Sequence, residues 1–165
     1  MPRALFTFDD PASVTDWPAI DDRVMGGASQ SRLVHEGGDL AVFTGVVSFA
    51  NGGGFASVRS RPRDLAAPGA GSLVLDVCGD GKRYKLAVRT DDAWDGISWQ
   101  AAFAPPTNVW TAVRLPLPAF QPTWRGRTLA DAPPLDPARM RQLGLLIADR
   151  QAGAFVLQLR SIAAE

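Results

Sequence analysis

The sequence has few of the residues that reactive sites most often use. It contains one cysteine, one histidine and one tyrosine, and lysine occurs twice, at Lys82 and Lys85. A single cysteine excludes a disulfide framework within the chain, and no spacing of cysteine and histidine matches a zinc site. Cys78 ends a strand-like run, which predicts a buried, inert thiol. His35 lies in a turn, and a Ser–His–acid triad would depend on that one residue, so nucleophilic catalysis is disfavoured.

An excess of charge of one sign is also absent. The 17 basic residues balance the 17 acidic ones, so the electrostatic signature of nucleic-acid binding is missing and we expect no nucleic-acid partner. No apolar run approaches the ~20 residues that span a bilayer, which predicts no direct membrane insertion. Residues 1–10 resemble neither a signal peptide nor a transit peptide. We therefore expect a cytoplasmic protein.

The composition and the residue pattern are those of a β-rich globular chain. Hydrophobic residues make up 46% of the 165 residues, with 16 glycines and 13 prolines. This length predicts a single domain over residues 1–165. Short runs with strand-like alternation recur between turn signals, which predicts an all-β jelly-roll sandwich of about ten antiparallel strands. The predicted strands are 4–8, 28–33, 40–47, 55–60, 72–79, 84–90, 97–103, 110–115, 142–149 and 155–162. We expect at most one or two short helical turns, one of them at 136–141.

Alternation along these strands places polar and small side chains on shared faces. Arg59, Lys85, Arg89, Ser98 and Gln100 all lie opposite apolar positions of their own strands. Two interpretations of such a face stay open. It is either the solvated side of an antiparallel sheet or a concave recognition surface, where small residues leave room and long polar ones reach in.

Two segments outside the strands suggest a shaped surface. Asn51-Gly-Gly-Gly-Phe-Ala-Ser-Val-Arg59 has more glycines than a plain hairpin needs, which indicates close approach of another group to the backbone. Residues 116–137 hold six prolines and Trp124-Arg-Gly-Arg127, and proline cannot donate to a sheet ladder. This stretch is interpreted either as a functional loop or as an irregular crossover at one end of the sandwich.

Candidate catalytic groups are restricted to paired carboxylates. Asp9-Asp10, Asp21-Asp22 and Asp91-Asp92 could serve glycoside hydrolysis or bind calcium. They lie in turns, where aspartate usually caps its own backbone. The glycine loops at 51–54 and 79–82 lack the spacing of nucleotide-binding loops. The sequence therefore predicts a binding protein without a metal or other cofactor, and not an enzyme.

Several motifs in order along the chain resemble one known family. Asp22-Arg-Val-Met-Gly-Gly-Ala-Ser-Gln-Ser31 is similar to the opening motif of the complex I intermediate-associated protein 30 family. The second block of that family is similar to Phe43-Thr-Gly45 together with residues 51–59. The third block is similar to residues 79–85 together with Arg89-Thr-Asp91 and Gln100. Arg125-Gly126 and 142–155 resemble the last two. Trp99 and Ala154 depart from the pattern, where Tyr and Pro are expected.

The resemblance implies a galactose-binding-domain-like jelly roll that acts without catalysis. The mitochondrial members are complex I assembly factors with a targeting extension; this chain begins with the domain, which suggests a bacterial relative. We therefore expect a chaperone-like module that binds a protein partner, such as membrane-complex subunits. The alternative is a carbohydrate-binding module that uses Trp94, Trp99, Trp110 or Trp124 as a sugar platform. The candidate binding residues are Asp22, Arg23, Asn51, Gly53, Arg59, Arg89, Gln100, Arg125 and Asp149.

Overall fold

The structure, a computed structural model, describes residues 2–21, 26–50 and 54–165. Within these ranges twelve strands form two sheets, and the strands of each sheet pair antiparallel. The strands are β1 Arg3–Thr7, β2 Gln30–His35, β3 Ala41–Val47, β4 Ala56–Arg59, β5 Ser72–Cys78, β6 Tyr84–Arg89, β7 Ser98–Phe103, β8 Trp110–Pro116, β9 Gln121–Trp124, β10 Arg127–Thr128, β11 Gln142–Ile147 and β12 Gly153–Ala164.

The two sheets pack face to face around one apolar core. The first sheet has the order β2-β3-β12-β5-β8, with β1 beside β12, and the second has the order β10-β9-β7-β6-β11-β4. Alternation within the strands decides which side chains enter the core. In β6, for example, Tyr84, Leu86 and Val88 are buried while the residues between them are partly exposed. The predicted all-β jelly-roll sandwich is confirmed, and all ten predicted strands are present.

The proline-rich stretch 116–137 is more regular than the sequence suggested. It contains β9 and β10, which form a hairpin at the edge of the second sheet with Trp124 opposite Arg127. The two residues between them, Arg125 and Gly126, have φ values of 50° and 78°. Positive φ at both central residues is the geometry of a two-residue hairpin turn whose twist matches that of the strands. An arginine–glycine turn therefore replaces the expected long irregular loop.

Short helical turns lie between the strands. The predicted turn near 136–141 is a 3-10 helix at Pro137–Arg139, and the Asp136 carboxylate caps it by accepting a hydrogen bond from the Ala138 N–H at 3.0 Å. Two further 3-10 helices occur at Pro11–Val14 and Leu117–Ala119. Across the residues described, no helix has the length and apolar character required to cross a membrane.

Tyr84, the only tyrosine of the chain, provides a test of core integrity. Its side chain is 1% exposed and its hydroxyl donates to Asp80 Oδ1 at 2.9 Å. Burial, followed by the charge of Asp80, raises the pKa of Tyr84 above its usual value of 10.0. Because the folded pKa lies above the unfolded one, stability should be unaffected below about pH 10 and fall progressively above it. A spectroscopic titration should show no tyrosinate near pH 10 in the folded protein, whereas the protein in denaturant should titrate normally. Titration of the folded protein near pH 10 would contradict the described packing.

Candidate binding groove

A groove runs over the outer face of the second sheet. Its volume is about 660 Å³, and β4, β6, β7, β9 and β11 all contribute to its lining. The floor is made of small residues, because Gly144 of β11 lies opposite both Ala87 of β6 and Arg59 of β4. The row continues from Ala87 to Gln100 of β7 and then to Gln121 of β9. Polar side chains thus lie on both sides of a floor whose central residues, Gly144 and Ala87, have little or no side chain.

The loop 90–97, which joins β6 to β7, is tethered by side chains of the groove. Arg59 Nη1 donates to the Trp94 carbonyl at 2.9 Å, and Arg89 Nη1 donates to the Gly96 carbonyl at 2.8 Å. The buried Gln142 side chain donates through Nε2 to the Asp91 carbonyl at 2.9 Å. Three outward-facing side chains from β4, β6 and β11 therefore hold this loop against the sheet.

The β9–β10 hairpin holds the same loop from the other side. Arg125 donates to Asp95 Oδ2 from Nε at 3.0 Å and from Nη2 at 2.7 Å, and Trp124 Nε1 donates to the Asp95 carbonyl at 3.1 Å. The Arg125 guanidinium also stacks on the Trp124 ring at 4.6 Å from its centroid. Arg59 stacks in the same way on Trp94, at 4.9 Å. The left-handed turn conformation of Arg125 thus places its side chain at the mouth of the groove.

The two central arginines are partly removed from water and repel each other. Burial and, to a smaller extent, the nearby positive charge of Arg89 together lower the pKa of Arg59 to about 10, with Asp95 acting in the opposite direction. Burial also lowers the pKa of Arg89, opposed by Asp91 and Asp95. Both side chains stay protonated at neutral pH. The groove therefore holds two positive charges that repel each other and are partly shielded from water.

The other end of the groove carries an ion pair. Lys85 Nζ lies 3.6 Å from Asp149 Oδ1. The predicted strand 142–149 is two residues too long, because β11 ends at Ile147 and Asp149 has a φ of 61°. Asp149 therefore belongs to the turn after β11, where its carbonyl also accepts from Arg83 Nη2 at 3.2 Å.

The structure brings four of the nine candidate residues together. Arg59, Arg89, Gln100 and Arg125 line the groove, and Asp149 contacts it through Lys85. The five residues of the predicted polar face, Arg59, Lys85, Arg89, Ser98 and Gln100, all line the same groove. The remaining candidates, Asp22, Arg23, Asn51 and Gly53, lie outside the described residues, as does most of the glycine loop at 51–54.

The sequence analysis named Asp21 only as one of a pair of carboxylates and missed its structural role, which is to support the β4 edge of the groove. This carboxylate is 8% exposed and accepts hydrogen bonds from the Ser31 N–H at 3.0 Å, the Ser31 hydroxyl at 2.5 Å and the Ser57 N–H at 2.9 Å. Ser31 belongs to β2 of the first sheet and Ser57 to β4 of the second, so Asp21 joins the two sheets. The available signal was its place directly before a motif in which serines alternate at 29 and 31.

The paired aspartates of loop 90–97 are not arranged as a glycosidase pair. Asp92 accepts from Arg141 Nε at 2.8 Å, and this hydrogen bond holds the pKa of Asp92 below its ordinary value. A general acid for glycoside hydrolysis needs a raised pKa instead. Asp91 Oδ1 accepts from the Ala93 N–H at 3.1 Å, as a turn-capping aspartate does. In the ranges that the structure describes, no three His, Cys, Asp or Glu side chains cluster as a metal site would require.

The four candidate tryptophans occupy three different environments. Trp99 is 5% exposed in the core, and its Nε1 donates to the Pro133 carbonyl at 3.1 Å. Trp110 lies on β8 of the first sheet, beneath the Arg160 guanidinium at 3.9 Å. Trp94 and Trp124, which are 65% and 41% exposed, flank the groove. Of the four, these two are placed to contact a ligand in it.

The sandwich has the same fold as solved carbohydrate-binding modules. A family 11 carbohydrate-binding module from Clostridium thermocellum, solved with a β-1,3-1,4-mixed-linked tetrasaccharide, matches with a TM-score of 0.72 at 14% identity, over 99% of this chain and 94% of that chain. A family 29 carbohydrate-binding module matches with a TM-score of 0.53 at 9% identity, over 100% and 91%. Likeness at such low identity is one of fold, since folds are reused for many functions.

The sequence comparison identifies the family. The chain belongs to the Complex I intermediate-associated protein 30 (CIA30) family, whose model matches residues 6–159. An uncharacterised protein of Schizosaccharomyces pombe is 30% identical over 169 residues, covering 90% of this chain and 77% of that protein. The resemblance inferred from the motifs is confirmed. The family match suggests a non-catalytic binding or assembly module.

Proposed function

We propose that the chain is a non-enzymatic binding module, which holds a segment of a protein partner in the groove while a membrane protein complex is assembled. The observation that carries the proposal is the groove itself, where Arg59, Arg89, Gln100 and Arg125 converge around a floor of Gly144 and Ala87. The family, described by its association with a complex I intermediate, supplies the assembly role. In this proposal residues 1–165 act as one domain.

The shape and chemistry of the groove suit binding. Its volume of about 660 Å³ lies within the usual range of ligand sites. Small residues on the floor let a ligand approach the sheet, and amide and guanidinium groups at the sides supply hydrogen bonds. Asp95, the one carboxylate among the described lining residues, is paired with Arg125, and Asp92 of the same loop is paired with Arg141.

Filling the groove should abolish partner capture without unfolding the protein. Ala87 is partly exposed at the centre of the floor, so Ala87→Trp would occupy the space that a ligand needs. A matched control, Ala112→Trp, places the same side chain on the exposed face of β8 in the first sheet. Tagged forms of the protein would be crosslinked and purified from cells that make it naturally. We expect membrane-complex subunits with the wild type and with Ala112→Trp, and at least about tenfold less with Ala87→Trp.

Two results would overturn the proposal. One is the absence of membrane-complex subunits among the partners of the wild type. The other is equal capture by the wild type and Ala87→Trp, with both variants melting at the wild-type temperature, since the groove would then play no part.

A carbohydrate ligand is the second candidate, favoured by one specific observation. Trp94 and Trp124 present exposed rings beside the groove, and exposed aromatic rings are the usual platforms for sugars. Calorimetry with a β-1,3-1,4-mixed-linked tetrasaccharide addresses it directly. Binding that Trp94→Ala or Trp124→Ala abolishes would favour this candidate over a protein partner, whereas the first proposal expects no heat of binding.

A further inference from the structure

We infer that the groove takes an acidic peptide segment, one of whose carboxylates docks between the guanidinium groups of Arg59 and Arg89. The inference rests on the proposed function and names the chemistry of the partner at that site. Four observations support it. The groove lining carries more positive than negative charge, and the nearby carboxylates are already bound to other groups. The two arginines have N–H donors that the described contacts do not use, and the floor between the strands is made of small residues.

The charge balance of the groove favours an anion. Four cationic side chains line it, namely Arg59, Lys85, Arg89 and Arg125, whereas Asp95 is the one carboxylate among the described lining residues. The chain as a whole has a formal net charge of zero. Lys85 is paired with Asp149 and Arg125 with Asp95. Among the described lining residues, the positive charge that remains to attract a ligand of opposite sign is therefore that of Arg59 and Arg89.

The carboxylates of the neighbouring loop are already engaged with other groups. Asp95 receives both of its charged hydrogen bonds from Arg125, and Asp92 receives those of Arg141. Asp91 caps the Ala93 N–H. Within the described part of the chain, no carboxylate lies within ion-pair distance of Arg59 or Arg89. Their charges are therefore balanced only at longer range.

Both arginines have N–H donors that their described contacts do not use. A guanidinium group carries five N–H donors, and the contacts described for Arg59 and Arg89 use Nη1 of each, on loop carbonyls. Arg59 and Arg89 lie on β4 and β6, which flank β11 and are therefore about two strand spacings, or roughly 10 Å, apart. Along the strands the two residues are offset by two positions, because Arg59 lies opposite Gly144 and Arg89 lies opposite Gln142. Their long side chains converge at the loop. A carboxylate placed between them can accept from both and relieve the repulsion by Arg89, which after burial is the second cause that lowers the pKa of Arg59.

The groove floor favours a peptide over a charged polysaccharide. A uronic-acid chain also carries carboxylates, but sugar rings bind best on flat aromatic faces. Phe55 is the one aromatic side chain among the described lining residues, and the floor beside the arginines is Gly144 and Ala87. Trp94 and Trp124 lie beside the groove, and one face of each ring is covered by a guanidinium, that of Arg59 or Arg125. Hydrogen-bonding side chains such as Gln100 and Gln121 instead suit the amide groups of an extended peptide.

Binding of a labelled oligoglutamate peptide, followed by fluorescence anisotropy, tests the inference. We expect binding to the wild type that weakens as salt is added, and no binding of an oligoglutamine peptide of the same length. Arg59→Gln and Arg89→Gln should each weaken binding about tenfold or more, because each removes a charge-assisted hydrogen bond. The matched control Arg32→Gln removes the same charge from an exposed position of β2 and should leave the affinity within about twofold.

A second variant separates direct binding from support of the loop. Arg141→Gln removes the hydrogen bonds to Asp92 that hold the same loop, and the same single charge, at a residue outside the groove lining, and it leaves both groove arginines in place. We expect it to change oligoglutamate affinity less than about threefold. If it weakens binding as much as Arg59→Gln does, the arginines act by holding the loop, and the inference is wrong.

Other outcomes would overturn the inference while leaving the proposed function standing. These are equal binding of oligoglutamine and oligoglutamate, unchanged affinity in both arginine variants, or preferential binding of an oligogalacturonate. If membrane-complex subunits are still captured and Ala87→Trp still blocks their capture, the groove binds a partner by other chemistry. Failure of that capture experiment would instead remove the proposed function.

Discussion

Replacing Asp21 by alanine is expected to lower the free energy of unfolding by about 4 kcal/mol. The substitution deletes an almost fully buried carboxylate and all three of its hydrogen bonds. The N–H groups of Ser31 and Ser57 would be left without their acceptor, and an unpaired buried donor costs about 1–3 kcal/mol. For a chain of this length the melting temperature should fall by about 8–16 °C. Thermal unfolding followed by circular dichroism measures the change.

The same substitution should also weaken the groove. Ser57 lines it, and the segment before Asp21 runs along β4, where the Ile20 N–H donates to the Ser57 carbonyl at 2.8 Å and the Arg59 N–H donates to the Pro18 carbonyl at 3.1 Å. Without Asp21 this edge loses its carboxylate link to β2 and keeps the weaker hydrogen bond from the Ser31 hydroxyl to the Ser57 carbonyl at 3.1 Å. Partner capture should therefore fall at temperatures where the protein is still folded.

Asp39→Ala is the matched control for the loss of a carboxylate. Asp39 has a side chain that is 62% exposed and lies 3.9 Å from Arg160 Nε. A surface pair of this kind contributes about 0–1 kcal/mol, so the melting temperature should shift by no more than about 4 °C. Equal shifts for Asp21→Ala and Asp39→Ala would refute the role of Asp21 as the link between the sheets.

Gly45→Ala is expected to destabilise the first sheet by about 3 kcal/mol or more, although it adds a single methyl group. A Cβ at this position would lie 2.0 Å from the Gln30 carbonyl oxygen and 2.7 Å from Ser31 Cα. These are backbone atoms of β2, which pairs with β3 through Ser31 opposite Gly45. The clash cannot be relieved by a side-chain rotation, so β2 must move away from β3. The loss of stability should equal or exceed the upper end of the range for overpacked cores, about 3 kcal/mol.

Gly71→Ala is the corresponding control for a glycine substitution. No atom lies within 4 Å of a Cβ built at Gly71, and its φ is not in the left-handed region. The change should be neutral or stabilise the protein by up to about 1 kcal/mol, because alanine restricts the unfolded chain. Denaturant unfolding of both variants measures the difference. If Gly45→Ala has the same midpoint as Gly71→Ala, the close approach of β2 to β3 is incorrect.

Most of the sandwich could be predicted because its strands have one buried face. In β6, alternate residues enter the core, and the same alternation of apolar residues is visible in the sequence. The β9–β10 hairpin was missed for the opposite reason. Its strands are short and largely exposed, and the prolines around them indicate loops more strongly than Arg125-Gly126 indicates a turn.

For the site, the alternation of residues predicted only which side chains face away from the core. The sequence by itself determined that Arg59, Arg89 and Gln100 point away from the core, because each occupies the polar side of an alternating strand. It also determined the family, through motifs spread along the whole chain. Only the tertiary structure decided that these side chains share one groove, since β11 enters the sheet between β4 and β6 from a distant part of the chain. The same holds for Asp21, whose hydrogen-bond partners come from strands of two different sheets. Such contacts depend on sheet order and packing, which local patterns do not encode.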